Sequence, residues 1–133
     1  NLPIGLLTSS LLFALLHLGN PDIGILPIVN IALFGLFASL YLLRTDNVWG
    51  IIGLHAAWNF SQGNIYGFSV SGTGVDAAVL NFIPKSDSSW LTGGAFGAEA
   101  SILSSFILLM AVFYLLFKMK KDGSLTGLVG KTQ

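Results

Sequence analysis

The chain has 133 residues, 53% of them hydrophobic and 9% charged, with a mean hydropathy of +0.79; a soluble domain is about one quarter charged, so this is the composition of a membrane protein. Six basic and six acidic residues cancel, which leaves no basic surface for nucleic acid and no acidic solubilising arm. No residue is cysteine, which excludes disulfides and thiol catalysis.

Residues 2–18 form an apolar run close to the roughly 20 residues that span a bilayer. Pro3 falls in the first turn, where a missing N–H is tolerated, and Gly19-Asn20-Pro21 closes the far end. The run starts without an initiator Met or a basic n-region, so it is expected to be an internal helix of a longer protein rather than a signal peptide. Residues 26–43 form a second spanning segment, with Asn30 as its one strongly polar interior residue and Gly35 and Ser39 spaced to allow close helix contact. Arg44-Thr45-Asp46-Asn47 ends it. Residues 48–61 make a shorter apolar helix that carries His55 and Asn59 and covers only part of a core about 30 Å thick.

From 63 to 100 the texture changes to Gly, Ser, Thr and Asn mixed with short apolar groups, a loop of the length that usually forms a lid or linker. Phe68, Val79, Leu80, Phe82 and Trp90 are expected to touch the bundle or the membrane surface. Residues 102–117 form the last spanning helix, followed by Lys118, Lys120 and Lys121 and a polar tail over 122–133. The fold class is therefore an all-α, polytopic transmembrane bundle of about four spanning helices, with a long loop before the last. By the positive-inside rule the C-terminal lysines and Arg44 are cytoplasmic, and Lys85, Asp76, Asp87 and Glu99 lie on the opposite side. The expected location is integral to the membrane, in the cell membrane, with lipids as partners.

Two short patterns carry the chemistry. Phe13-Ala14-Leu15-Leu16-His17 ends the first helix, and His55-Ala56-Ala57-Trp58-Asn59 lies in the third. His55 and Asn59, four apart, share one helix face, and polar groups in hydrocarbon usually face a bundle interior or a water-filled cavity. The bland alternative is an interhelical hydrogen bond worth about 0.6–2 kcal/mol. His17 by itself would be expected to bond the last-turn carbonyls. Phe13 is expected to orient His17 from one turn below, and Asn30 to act as interhelical glue or as the partner of a histidine. Glu99, just before the last helix, suits that helix's positive N-terminal dipole.

Taken together and in order, with Leu18-Gly19-Asn20-Pro21 after the first pattern, these residues resemble the second and third motifs of the CPBP family, the CAAX proteases and bacteriocin-processing enzymes. The likeness extends to the surroundings of Gly53 to Gly63 and to Leu91-Thr92-Gly93-Gly94-Ala95-Phe96-Gly97. It implies that residues 1–121 are the C-terminal part of one membrane-embedded protease domain, an intramembrane endopeptidase acting on membrane-associated proteins or peptides. His17, His55 and Asn59 would be its catalytic residues, positioning water and stabilising the oxyanion, with Phe13 and Asn30 in support. In the family a glutamate of a preceding Glu-Glu-x-x-x-Arg motif activates the water. No Glu-Glu pair occurs here, so the base is expected upstream and the fragment by itself is expected to be inactive.

No cofactor is expected. The alternative is a divalent metal such as zinc on His17 and His55, but catalytic zinc usually takes three protein ligands and Asn is a poor third. Two other classes compete: a non-catalytic immunity or scaffold protein with the same fold, and a haem protein using the two histidines as axial ligands. A shared site also requires the third helix to be displaced or the first to break early, because His17 lies at a helix end and His55 near the middle of its own.

Overall fold

The computed structural model describes residues 2–125; most of the polar tail, 126–133, lies outside the described residues. Helix α1 runs Leu2–Leu15, α2 Ile25–Thr45, α3 Val48–Phe60, α4 Ser89–Thr92 and α5 Ile102–Lys121. A π-turn, Ser61–Ile65, continues α3, and two 3-10 turns, Gly94–Phe96 and Ala98–Ala100, join α4 to α5. Among the described residues there is no strand, only an isolated bridge between Val70 and Thr73.

Helices α2 and α5, of 21 and 20 residues, are long and apolar enough to cross a bilayer, each roughly 30 Å at 1.5 Å per residue. Their surfaces fit that role. On α5, Phe106, Met110, Phe113 and Phe117 are each more than half exposed, an apolar surface that hydrocarbon tolerates and water does not. The protein is therefore a helical membrane bundle. The other two helices of the expected four are shorter, at 14 and 13 residues, or roughly 20 Å each. Helix α1 stops at Leu15 because the chain tightens there, His17 N–H bonding Ala14 O at 3.0 Å and Leu18 N–H bonding Leu15 O at 3.1 Å. Helix α3 gives way to the π-turn after Phe60.

Two side-chain caps set the starts of α3 and α5. Asn47 Oδ1 accepts from the N–H groups of Trp49 and Gly50, and Ser101 Oγ accepts from Ser104 N–H, each satisfying N–H groups that have no partner inside the helix. Helix α1 lies antiparallel on α2. At their crossing Ser9 and Ser39 hydroxyls are 3.0 Å apart, and Gly35 packs so closely that a Cβ there would come within 3.0 Å of Ser10 Cα. The small residues at 35 and 39 thus set the approach of the two backbones.

Helix α5 runs parallel to α2. Near their starts Asn30 bonds to residues 99, 101 and 105, and at their ends Arg44 pairs with Asp122 at 3.0 Å. The Ser124 hydroxyl first, then Arg44, hold the Asp122 carboxyl below its usual range against an opposing desolvation effect. With a depressed folded-state pKa, the contribution is present above the unfolded value and is lost as pH falls through the folded one. One small core, Ala14, Ile31, Phe96 and Ala100, lies at the Asn30 end, and another, Leu40, Val112, Leu115 and Met119, at the Arg44 end.

The long loop is docked rather than free. Val79 and Leu80 N–H bond Asn64 O and Ile65 O at 2.8 Å, and the Phe82 ring contacts Tyr66 and Phe68. Gly97, at φ 105°, passes so close to Ser69 O that no Cβ fits, which ties the turn before α5 to the loop.

Gly35→Val should destabilise the α1–α2 contact by about 1–3 kcal/mol, the usual effect of overpacking. Thermal unfolding of the detergent-solubilised protein measures this, and an unchanged midpoint would show that the crossing is looser than described.

Candidate active site

Between α2, α3 and α5 lies a cavity of about 240 Å³. One part of its wall is apolar: Ile31, Phe34 and Phe37 from α2, Leu54 from α3, and Ile107, Leu108 and Ala111 from α5. The polar part gathers His17, Asn30, His55, Ser71, Glu99 and Ser104. Both sequence-predicted histidines are there, one from the turn after α1 and one from α3.

They share a neighbour. The Phe13 ring lies 4.8 Å from the His17 ring and 5.9 Å from that of His55. Phe34 stands edge-on to His55 at 5.0 Å. Antiparallel packing explains the meeting: α1 and α3 both run against α2, so residues 13–17 and residue 55 reach the same level of α2, near Phe34. Helix α1 ends early, at Leu15, as a shared site was expected to require.

His17 Nδ1 lies 2.7 Å from Phe13 O. A carbonyl only accepts, so Nδ1 carries the proton and Nε2 is left with the lone pair. The bond serves the end of α1, as expected of a histidine in that position, while the ring also lines the cavity. His55 is half-buried and makes no hydrogen bond among the described residues. Both its ring nitrogens are available to a ligand.

Asn59, one turn beyond His55, is half-buried and does not line the cavity wall. Its Oδ1 is buried without a partner among the described residues, as is Gln62 Oε1 in the π-turn. Asn30 is 2% exposed and backs neither histidine. Its Nδ2 donates to Glu99 O at 2.7 Å and Ser101 O at 3.0 Å, and its Oδ1 accepts from Ser105 at 2.6 Å. Both Nδ2 hydrogens and one acceptor position of Oδ1 are thus engaged on the α5 side.

Glu99 departs furthest from expectation. Its carboxylate does not serve the α5 N-terminus, which Ser101 caps. Instead Oε1 accepts from Trp58 Nε1 at 3.2 Å, and Oε2 accepts from Ser71 N–H at 3.0 Å and Ser71 Oγ at 2.7 Å. Ser71 sits at φ 49°, a left-handed conformation uncommon for Ser, and this double bond to the carboxylate offsets it. Trp58, Ser71, Glu99 and Ser104 were not singled out as site residues from sequence. A lone Glu between apolar segments was the available signal, but its partners are 28 and 41 residues away.

Among the described residues no three His, Cys, Asp or Glu side chains are grouped to hold a metal ion. His17 and His55 are two donors, against the three protein ligands usual for catalytic zinc.

Fold and cavity together define a helical membrane protein in which one histidine from the turn after α1 and one from α3 face a common cavity. Residues 1–61 match the family described as type II CAAX prenyl endopeptidase Rce1-like. That stretch contains α1, α2 and α3 with both histidine motifs, it is similar there to CAAX-protease-like membrane proteins, and it agrees with the CPBP resemblance of the motifs. No curated protein and no solved structure matches the chain.

Because the chain has two histidines, imidazole NMR signals can be assigned by removing one at a time. Phe13→Ala should move both sets of ring resonances, whereas Phe34→Ala should move mainly those of His55. If Phe13→Ala leaves the His55 signals in place, the shared-ring arrangement is wrong.

Proposed function

We propose that this chain forms the histidine-bearing part of an intramembrane endopeptidase of the CAAX-protease type. The observation that carries the reading is the meeting of His17 and His55 on the Phe13 ring at the polar end of a largely apolar cavity. Peptide hydrolysis needs a base for water and a donor for the developing oxyanion. His17, fixed through Nδ1, presents Nε2 as an acceptor for water. His55, with no competing hydrogen bond, orients water or substrate. The Asn59 carboxamide, adjacent to His55 on α3, supplies the oxyanion donor through Nδ2 once a substrate carbonyl reaches it.

The water-activating glutamate is that of the Glu-Glu-x-x-x-Arg motif in the family resemblance. Glu99 is a poor substitute, because three of the roughly four acceptor positions of a carboxylate are already filled. No metal takes part in this reading. The apolar wall suits the lipid-facing part of a membrane-anchored protein or peptide, with the scissile bond at the histidine end. The protein would sit in the cell membrane among lipids, with the ends of α2 and α5 cytoplasmic, as Arg44, Lys118, Lys120 and Lys121 favour.

In the intact protein reconstituted in liposomes, His55→Ala should abolish cleavage of a membrane-anchored peptide while membrane insertion stays normal. Retained turnover would sink the assignment. Asn59→Ala should lower kcat by about 100-fold or more with KM little changed, the signature of a transition-state contact. A rise in KM alone would contradict the oxyanion role.

A further inference from the structure

Helix α3 carries His55 but is weakly held. None of its residues is buried, and among the described residues its one side-chain hydrogen bond to another element is Trp58 Nε1 to Glu99 Oε1, at 3.2 Å. Trp58 follows His55 by three residues, so on a helix the two lie on neighbouring parts of one face, and both line the cavity. Whatever fixes the indole therefore limits the rotation of α3 and the direction in which His55 faces.

Glu99 is itself fixed from two sides. Its backbone carbonyl accepts from Asn30 Nδ2 at 2.7 Å, which ties it to buried α2. Its two carboxylate oxygens then hold different elements, Oε1 the end of α3 and Oε2 the Ser71 turn. Hydrogen bonds to a charged acceptor are stronger than neutral ones; the Ser71 hydroxyl bond, at 2.7 Å and part-buried, is the short one, and the exposed indole bond is longer at 3.2 Å. One residue thus joins α2, α3 and the loop at the polar end of the cavity.

We propose that Glu99 is a positioning residue: it keeps His55 turned into the cavity by holding Trp58, and keeps the Ser71 turn over the same end. The positioning of a reacting group rests on the peptidase reading; the tether itself does not. A misplacement of about 1 Å can lower a rate 100-fold, so a single hydrogen bond at the far end of a loosely packed helix has kinetic weight.

The test uses the intact protein in liposomes with Glu99→Ala, Glu99→Gln and Trp58→Phe. Glu99→Ala and Trp58→Phe should each lower kcat by about tenfold with KM changed less than about twofold, and the double variant should be no slower than the worse single, as for two residues acting through one contact. Glu99→Gln, whose single amide oxygen can serve the indole or the two Ser71 donors but not both, should recover only a small part of the rate. Because the chain lacks cysteine, nitroxide labels at introduced cysteines replacing Ile52 on α3 and Phe113 on α5 report the helix separation directly. Both residues are at least half exposed.

The distance distribution should broaden in Glu99→Ala and Trp58→Phe, and at least partly in Glu99→Gln, which cannot accept from both Trp58 and Ser71. An unchanged distribution in Glu99→Ala and Trp58→Phe would overturn the tether, and a broadened one with unaltered kcat would overturn the positioning role. The label distances need no turnover, so they decide the tether even where the peptidase reading fails. If Glu99→Ala does not fold, Trp58→Phe carries the same comparison.

Discussion

A single buried carboxamide sets the geometry on which the rest depends. Asn30 enters the apolar body of α2 and would be strongly unfavourable there without partners, because hydrocarbon offers none. It finds three, two in the segment that leads into α5 and one, Ser105, in its first turn. That requirement places the start of α5 beside the start of α2, and the two helices then run parallel to the Arg44–Asp122 pair at their other ends. The cavity forms along this pair where α3 stands off from them, and the Glu99 carboxylate is carried to its polar end because its own carbonyl is one of the Asn30 partners.

Local chemistry accounts for several of the helix ends. Asn47 and Ser101 begin α3 and α5 by capping their first N–H groups, and Asp46 ends α2 in a left-handed turn at φ 49°. The small residues at 35 and 39 mark the α1–α2 contact for the same local reason, since a backbone approach needs the absence of side-chain bulk. The reach of α1 was not legible in the same way. Residues 16–18 are as apolar as those before them, and hydropathy does not record that the chain tightens after Leu15.

The site divides similarly. His17 and His55 stand out because a titratable group in an apolar helix has few explanations, and Phe13 follows from its spacing to His17. Glu99 has no such local signature. Before a helix, its sequence context suits a dipole partner, and only the fold reveals that Ser101 already serves that end and that the carboxylate faces Trp58 and Ser71. Asn30 was ambiguous for a related reason: its residue type announces a buried hydrogen bond but not the element that receives it.

The two histidines also differ in what restrains them, and the difference bears on how such a site could work. His17 is fixed twice, by its bond to the Phe13 carbonyl and by the ring beside it, in the turn that follows the helix packed against α2. His55 is held by ring contacts and, through Trp58, by the bond to Glu99, on a helix with no buried residue. A group that must hold a water benefits from rigidity, since preorganised partners need no rearrangement as charge develops. A group on the movable wall of a cavity is suited to admitting a substrate and then closing on it. The asymmetry therefore follows from the packing of α1 and α3 against α2, with both histidines meeting at the Phe13 ring.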